Sequence, residues 1–106
     1  MKTITALLAA LALTAPIATK AADTAAAQAS LKKHGCLKCH SVSADKDGPA
    51  FKKVAAKYKG HKEGGKTIAG ELKAGKMTVD GKDVKHATFK GSDSDLKNVI
   101  SYILSR

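Results

Sequence analysis

Apolar residues recur at helical spacing along most of the chain beyond Thr24, most cleanly at its C-terminal end. There Leu96, Val99, Ile100, Ile103 and Leu104 make one stripe, with Ser92 placed to cap it and Asp95 at the third position of a capping box. Phe51, Val54, Ala55 and Tyr58 stand at i, i+3, i+4 and i+7. They predict a second helix running to about Tyr58, with Pro49 as its first residue because proline is pre-set for that position. Thr24 to His34 is alanine-rich and predicted helical, Asp23 being a candidate N-cap and Gly35 a stop. A shorter helix is expected from about Lys66 to Ala74, ended by Gly75. The polar runs Ser41–Gly48 and Lys59–Gly65 read as loops. Met77 to Val84 instead predicts a small hairpin around Asp80-Gly81. The expected class is all-α: about four short helices, with a small hairpin before the last.

The first 21 residues read differently. Met1-Lys2 is a short basic start, Ile4 to Ile17 is an Ala/Leu-rich apolar run, and small residues follow at Thr19 and Ala21. That is the pattern of a secretory signal peptide over residues 1–21, cleaved after Ala21 or one residue later. A retained amphipathic anchor would need a charged face, which the segment lacks. No other segment is long and apolar enough to cross a bilayer. A single domain of about 85 residues, 22–106, is left in an oxidising compartment where thiols need a protected fate.

Cys36-Leu37-Lys38-Cys39-His40 supplies that fate. Two thiols three positions apart, followed at once by an imidazole, form the C-x-x-C-H pattern of covalent haem attachment. Each thiol can add across one vinyl group, and His40 then reaches the iron. The competing readings are a Cys36–Cys39 disulfide, a dithiol redox pair and half of a zinc site. Zinc wants four ligands, and the chain has no second cysteine pair; a thioredoxin-like pair wants a βαβ context that the flanks do not offer. One haem c, bound through Cys36 and Cys39, would also staple a chain that has no Trp and only Phe51, Tyr58, Phe89 and Tyr102 as aromatics.

Together these segments resemble the small bacterial class I cytochromes c. The resemblance rests on a helix ending in the haem pentapeptide, a Gly-Pro-Ala-Phe stretch opening the next helix, the run Val54-Ala55-Ala56-Lys57-Tyr58, and a terminal helix beginning Ser-Asp-x-Asp-Leu. It implies a cytochrome c-like fold around the haem, with the first and last helices in contact through residues such as Leu31 and Tyr102. It further implies that the Pro49 carbonyl accepts a hydrogen bond from the ring of His40, fixing its orientation.

The sixth ligand is where the chain departs from that pattern. The family presents a methionine, commonly followed by proline, a few residues before the last helix. Here that position, six residues before Ser92, holds His86, and Met77 lies fifteen residues before Ser92. Spacing favours His86. If the Asp80-Gly81 hairpin is an insertion, its arms return together and Met77 remains an alternative. His61, His34 and an open site are the other options.

No nucleophile–base pair, paired carboxylates or phosphate loop is visible, so no enzymatic activity is expected. The resemblance implies a periplasmic, monomeric carrier of single electrons; the competing reading is a haem-based binder or sensor of small gases with a weak or absent distal ligand. The formal charge of +10 becomes 10 − 2 = +8 once Lys2 and Lys20 leave with the leader. Lys32, Lys33, Lys38, Lys52, Lys53, Lys57, Lys59 and Lys62 gather around the haem motif. Such a run is either a solvated face or a rim that steers acidic redox proteins or membrane-bound oxidoreductases into transient contact. Nucleic acid is disfavoured by the compartment and by the scarcity of interleaved aromatics. Haem-free chain is predicted to melt without a cooperative transition, for want of apolar area. Calorimetry of protein expressed without haem maturation checks this, a sharp endotherm being the contrary result.

Overall fold

The computed structural model describes residues 22–106; the expected leader, 1–21, lies outside the described residues. In chain order the elements are α1 (Thr24–Lys33), a 3₁₀ turn (Cys36–Lys38), α2 (Phe51–Tyr58), α3 (Gly64–Ala74), β1 (Lys76–Val79), β2 (Lys82–Lys85) and α4 (Asp93–Leu104). This is the all-α arrangement with one hairpin before the last helix that the periodicity predicts.

The caps at the two packed helices are the ones the sequence marks. Asp23 Oδ1 accepts from the Ala26 N–H at the start of α1, and Ser92 Oγ accepts from the Asp95 N–H at the start of α4. The two helices are also tied end to side. The Asp23 N–H donates to Asn98 Oδ1 at 2.8 Å, and Asn98 Nδ2 donates back to the Asp23 carbonyl at 3.0 Å. Ala27 and Leu31, one turn apart on α1, pack with Val99, Tyr102 and Ile103 of α4 and Phe51 of α2. A second cluster joins Ile68 of α3 to Leu96 and Ile100 of α4, and Val54 and Phe89 touch both clusters. Leu31 and Tyr102, the pair implied by the resemblance, therefore both belong to the larger cluster.

Two helix starts differ from expectation. α2 begins at Phe51, with Ala50 extended at φ −57°, ψ 143°, so Pro49 is not the first helical residue. Both polar groups of the Pro49–Ala50 peptide are engaged elsewhere, which keeps that peptide out of the helix. α3 begins at Gly64, two residues early, because the Tyr58 ring packs against Gly64: a Cβ there would lie 2.9 Å from Tyr58 Cδ1.

The hairpin pairs Met77 with Val84 and Val79 with Lys82. Its turn residues Asp80 and Gly81 have φ of 51° and 76°, the left-handed pair that a two-residue hairpin turn requires. The Thr78 N–H donates to Glu71 Oε2 at 2.9 Å, holding the hairpin to α3. Among the described residues no helix is long and apolar enough to cross a membrane.

Leu31 is 2% exposed at the α1–α4 contact. Leu31→Ala is expected to destabilise the haem-loaded protein by about 2–5 kcal/mol, read from denaturant unfolding. A loss under about 1 kcal/mol would mean that this contact is not the core.

Candidate functional site

The helices do not close completely on one another. Between them lies a cavity of about 600 Å³, walled by Leu31, Phe51, Val54, Ile68, Leu72, Val99 and Ile103 and by the hairpin residues Met77, Val79 and Val84. Cys36, Cys39, His40, Pro49 and His86 all line it.

The pentapeptide is shaped by a change of helix type. Gly35, at φ 72°, turns the chain out of α1 into the 3₁₀ turn, a conformation that favours glycine. The Cys39 and His40 N–H groups then both donate to the Cys36 carbonyl, at 3.2 and 2.9 Å, which folds the two thiols and the imidazole onto one short loop. Both cysteines are free. Burial pushes the Cys36 thiol up from its ordinary range, with a backbone hydrogen bond partly opposing the shift.

His40 is held on three sides. Its Nδ1 donates to the Pro49 carbonyl at 2.7 Å. Its ring stacks on Phe51, centres 5.3 Å apart and planes 19° apart. Gly48 fits against the remaining face, where a Cβ would lie 2.8 Å from Nε2 and 2.9 Å from Nδ1. The loop 41–48 is folded to bring these groups up. The Gly48 N–H donates to the Cys39 carbonyl at 2.7 Å, and Phe51 and Lys52 N–H groups donate to the Ser41 and Val42 carbonyls. Asp45 Oδ1 accepts from the Ala50 N–H at 2.9 Å, and its Oδ2 pairs with Lys53. Lys53, and after it the Ala50 amide, holds the Asp45 carboxyl below its usual range.

His86 follows β2 directly. Its N–H donates to the Gly75 carbonyl at 2.8 Å, so the end of the hairpin is fastened to the end of α3. Gly75 is at φ 71°, and a Cβ there would come 2.6 Å from Thr88 Oγ1. The His86 ring centre lies 6.1 Å from that of His40, with 37° between the planes. Its Nδ1 donates to the Ala87 carbonyl at 2.7 Å. A carbonyl only accepts, so in both histidines Nδ1 carries a proton, which leaves Nε2 as the nitrogen that could hold a metal.

The remaining candidates are distributed unequally. Met77 lines the cavity from β1. His34 also reaches it, but its ring is tilted against Phe89 at 4.4 Å. His61 lies outside the cavity, edge-on to Tyr58 at 6.2 Å. Sequence reasoning missed Asp45 and the stacking of Phe51 on His40; an acid six residues before a helix gives no signal of whose N–H it will meet.

The donor set fits a haem. Two thiols and two imidazoles face an apolar slot, and among the described residues no group of three or more His, Cys, Asp or Glu could hold a bare metal ion.

Comparison with known proteins agrees. The family model described as cytochrome c matches residues 24–106. Cytochrome c-552 of Hydrogenobacter thermophilus is 38% identical over 74 residues, 70% of this chain and 74% of that one. Cytochrome c-552 of Nitrosomonas europaea is 35% identical over 74 residues, 70% and 72% of the two chains. Among solved structures, the class 1 cytochrome MtoD from Sideroxydans lithotrophicus ES-1 superposes with a TM-score of 0.72 at 36% identity, covering 80% of this chain and 97% of that one.

Gly48→Ala is expected to push the His40 ring off Phe51 or off the Pro49 carbonyl. The haem-loaded variant should lose about 1–3 kcal/mol of stability, by denaturant unfolding, and its absorption spectrum should change. Unaltered stability and spectrum would mean that the ring has room to spare.

Proposed function

The chain belongs to the cytochrome c family, whose members carry electrons on covalently attached haem c, and we propose that His40 and His86 would hold the iron of one haem attached through Cys36 and Cys39. The observation that carries this reading is the 6.1 Å between the two ring centres inside the apolar cavity. Two imidazoles whose Nε2 atoms share one metal, at about 2.0 Å each, have ring centres about 6 Å apart. Further support comes from the matched backbone carbonyls. Pro49 and Ala87 each take an Nδ1 proton, which orients the ring and strengthens the other nitrogen as a donor.

When bound, the haem supplies a one-electron ferric/ferrous couple. The chain sets where that couple stands and how stiffly it is held. A second imidazole donates more strongly than a thioether and favours the ferric state, so the reading is a low-potential carrier. Stacking on Phe51 and the Pro49 carbonyl hold the His40 ring, and the Ala87 carbonyl holds that of His86, so little would have to rearrange when an electron moves. Leu31, Val54, Ile68 and Val99 keep water from the buried side.

A second assignment, His40 with Met77, is supported by the place of Met77 on the hairpin face that lines the same cavity, opposite Val84. It would give a higher potential.

The carrier is read as periplasmic, with residues 1–21 as its cleaved leader and 22–106 as the working domain. Its partners are read as acidic redox proteins or membrane-bound oxidoreductases, met transiently as a monomer. What supports this is the excess of lysine, including Lys57 and Lys85 on the cavity wall.

The ferric spectrum, extended into the near infrared, tests the ligands. Low-spin haem without the weak far-red band of sulfur–iron coordination is the expected result, and the ferrous protein should barely react with carbon monoxide. The sulfur band would transfer the role to Met77. A high-spin spectrum with immediate carbon monoxide binding would make the protein a gas binder instead.

A further inference from the structure

The Pro49 carbonyl and the Ala50 N–H are the two ends of one peptide unit. The carbonyl end accepts from His40 Nδ1 at 2.7 Å, and the N–H end donates to Asp45 Oδ1 at 2.9 Å. A carboxylate, a peptide and an imidazole are thus joined in series. Hydrogen bonds in series polarise one another: an anion accepting at the N–H puts more negative charge on the carbonyl oxygen, which then accepts more strongly.

We infer that Asp45 is a positioning and tuning residue for His40, acting through the Pro49–Ala50 peptide, and that Lys53 sets how strongly it acts. The inference rests on the reading of His40 as a haem ligand. Peptide polarisation gives the His40 ring more imidazolate character, as a carboxylate partner does directly in other metal-bound histidines, and a more basic ligand favours ferric iron. Lys53 opposes this by pairing with the other carboxylate oxygen, Oδ2, and drawing charge away from Oδ1. Ala50 is 1% exposed, so its N–H has no water to turn to if the carboxylate is removed. The Asp45 carboxylate itself is about half exposed, which leaves it open to salt and to substitution.

Asp45→Asn and Lys53→Met, in haem-loaded protein, separate the terms. Asparagine keeps an oxygen for the Ala50 N–H and loses the charge. In spectroelectrochemistry at about 0.5 M salt, where exposed charges are screened within about 4 Å, direct through-space effects are suppressed. At a fixed applied potential, Asp45→Asn should raise the ferrous-to-ferric ratio at least threefold, which for a one-electron couple is about 28 mV. Lys53→Met should lower the ratio. In the ferrous protein, the His40 Nδ1 proton resonance should move upfield in Asp45→Asn and downfield in Lys53→Met, as its hydrogen bond weakens or strengthens. Unchanged ratios in both variants overturn the inference, and so does a changed ratio with an unmoved Nδ1 proton, because the charge would then act through space alone. If Asp45→Asn fails to mature, the sign of the Lys53→Met shift decides. The wild-type ferric spectrum reports on the ligands independently, so low-spin wild type with unshifted variants removes the relay and leaves the ligand assignment standing.

Discussion

The rest of the structure depends on a constraint of volume. A domain of about 85 residues with four aromatic side chains leaves about 600 Å³ of its interior to something other than its own side chains. The apolar clusters stand around that space rather than across it, one built on α1 and α4 and the other on α3 and α4. Folding and cofactor binding are then expected to be one process. The covalent attachment that the family makes at its C-x-x-C-H motif turns a filler into a permanent member of the core.

Once the core is closed in this way, the chemistry is a question of how two rings are held. The His40 ring is over-determined: a carbonyl, an aromatic face and a missing Cβ fix its position from three directions. The His86 ring is held by its Nδ1 hydrogen bond to the Ala87 carbonyl, and its backbone by the hydrogen bond from the His86 N–H to the Gly75 carbonyl. A carrier gains from this stiffness, because any ring that shifts on reduction adds to the barrier for electron transfer.

Much of this was legible in the order of residues, and the illegible parts share one cause. Helical stripes, the Asp23 and Ser92 caps and the Asp80-Gly81 turn are local signals, readable because each depends on residues a turn or two apart. The pentapeptide is local as well. The resemblance to class I cytochromes c, which the family match bears out, carried the pairing of the first and last helices, a contact across 75 residues at Asp23 and Asn98 that no local pattern reports. The start of α2 was misread because Pro49 obeys two masters. Its ring suits a helix start, but its carbonyl is engaged by His40, and a tertiary hydrogen bond outranks a propensity. Asp45 was invisible for the same reason, since its partner is chosen by the fold of the loop and not by spacing.

The hairpin leaves and re-enters the body at nearly one point. Lys76 faces Lys85 at its base, and the Gly75–His86 hydrogen bond closes the chain just below it. Beyond the paired residues that wall the cavity and the Thr78–Glu71 hydrogen bond, only the Asp80-Gly81 tip stands apart from the body. That tip could grow by facing pairs of residues, or carry a grafted sequence, without altering the address of His86. A protein engineer has there a ready port for attaching a binding loop beside the cavity.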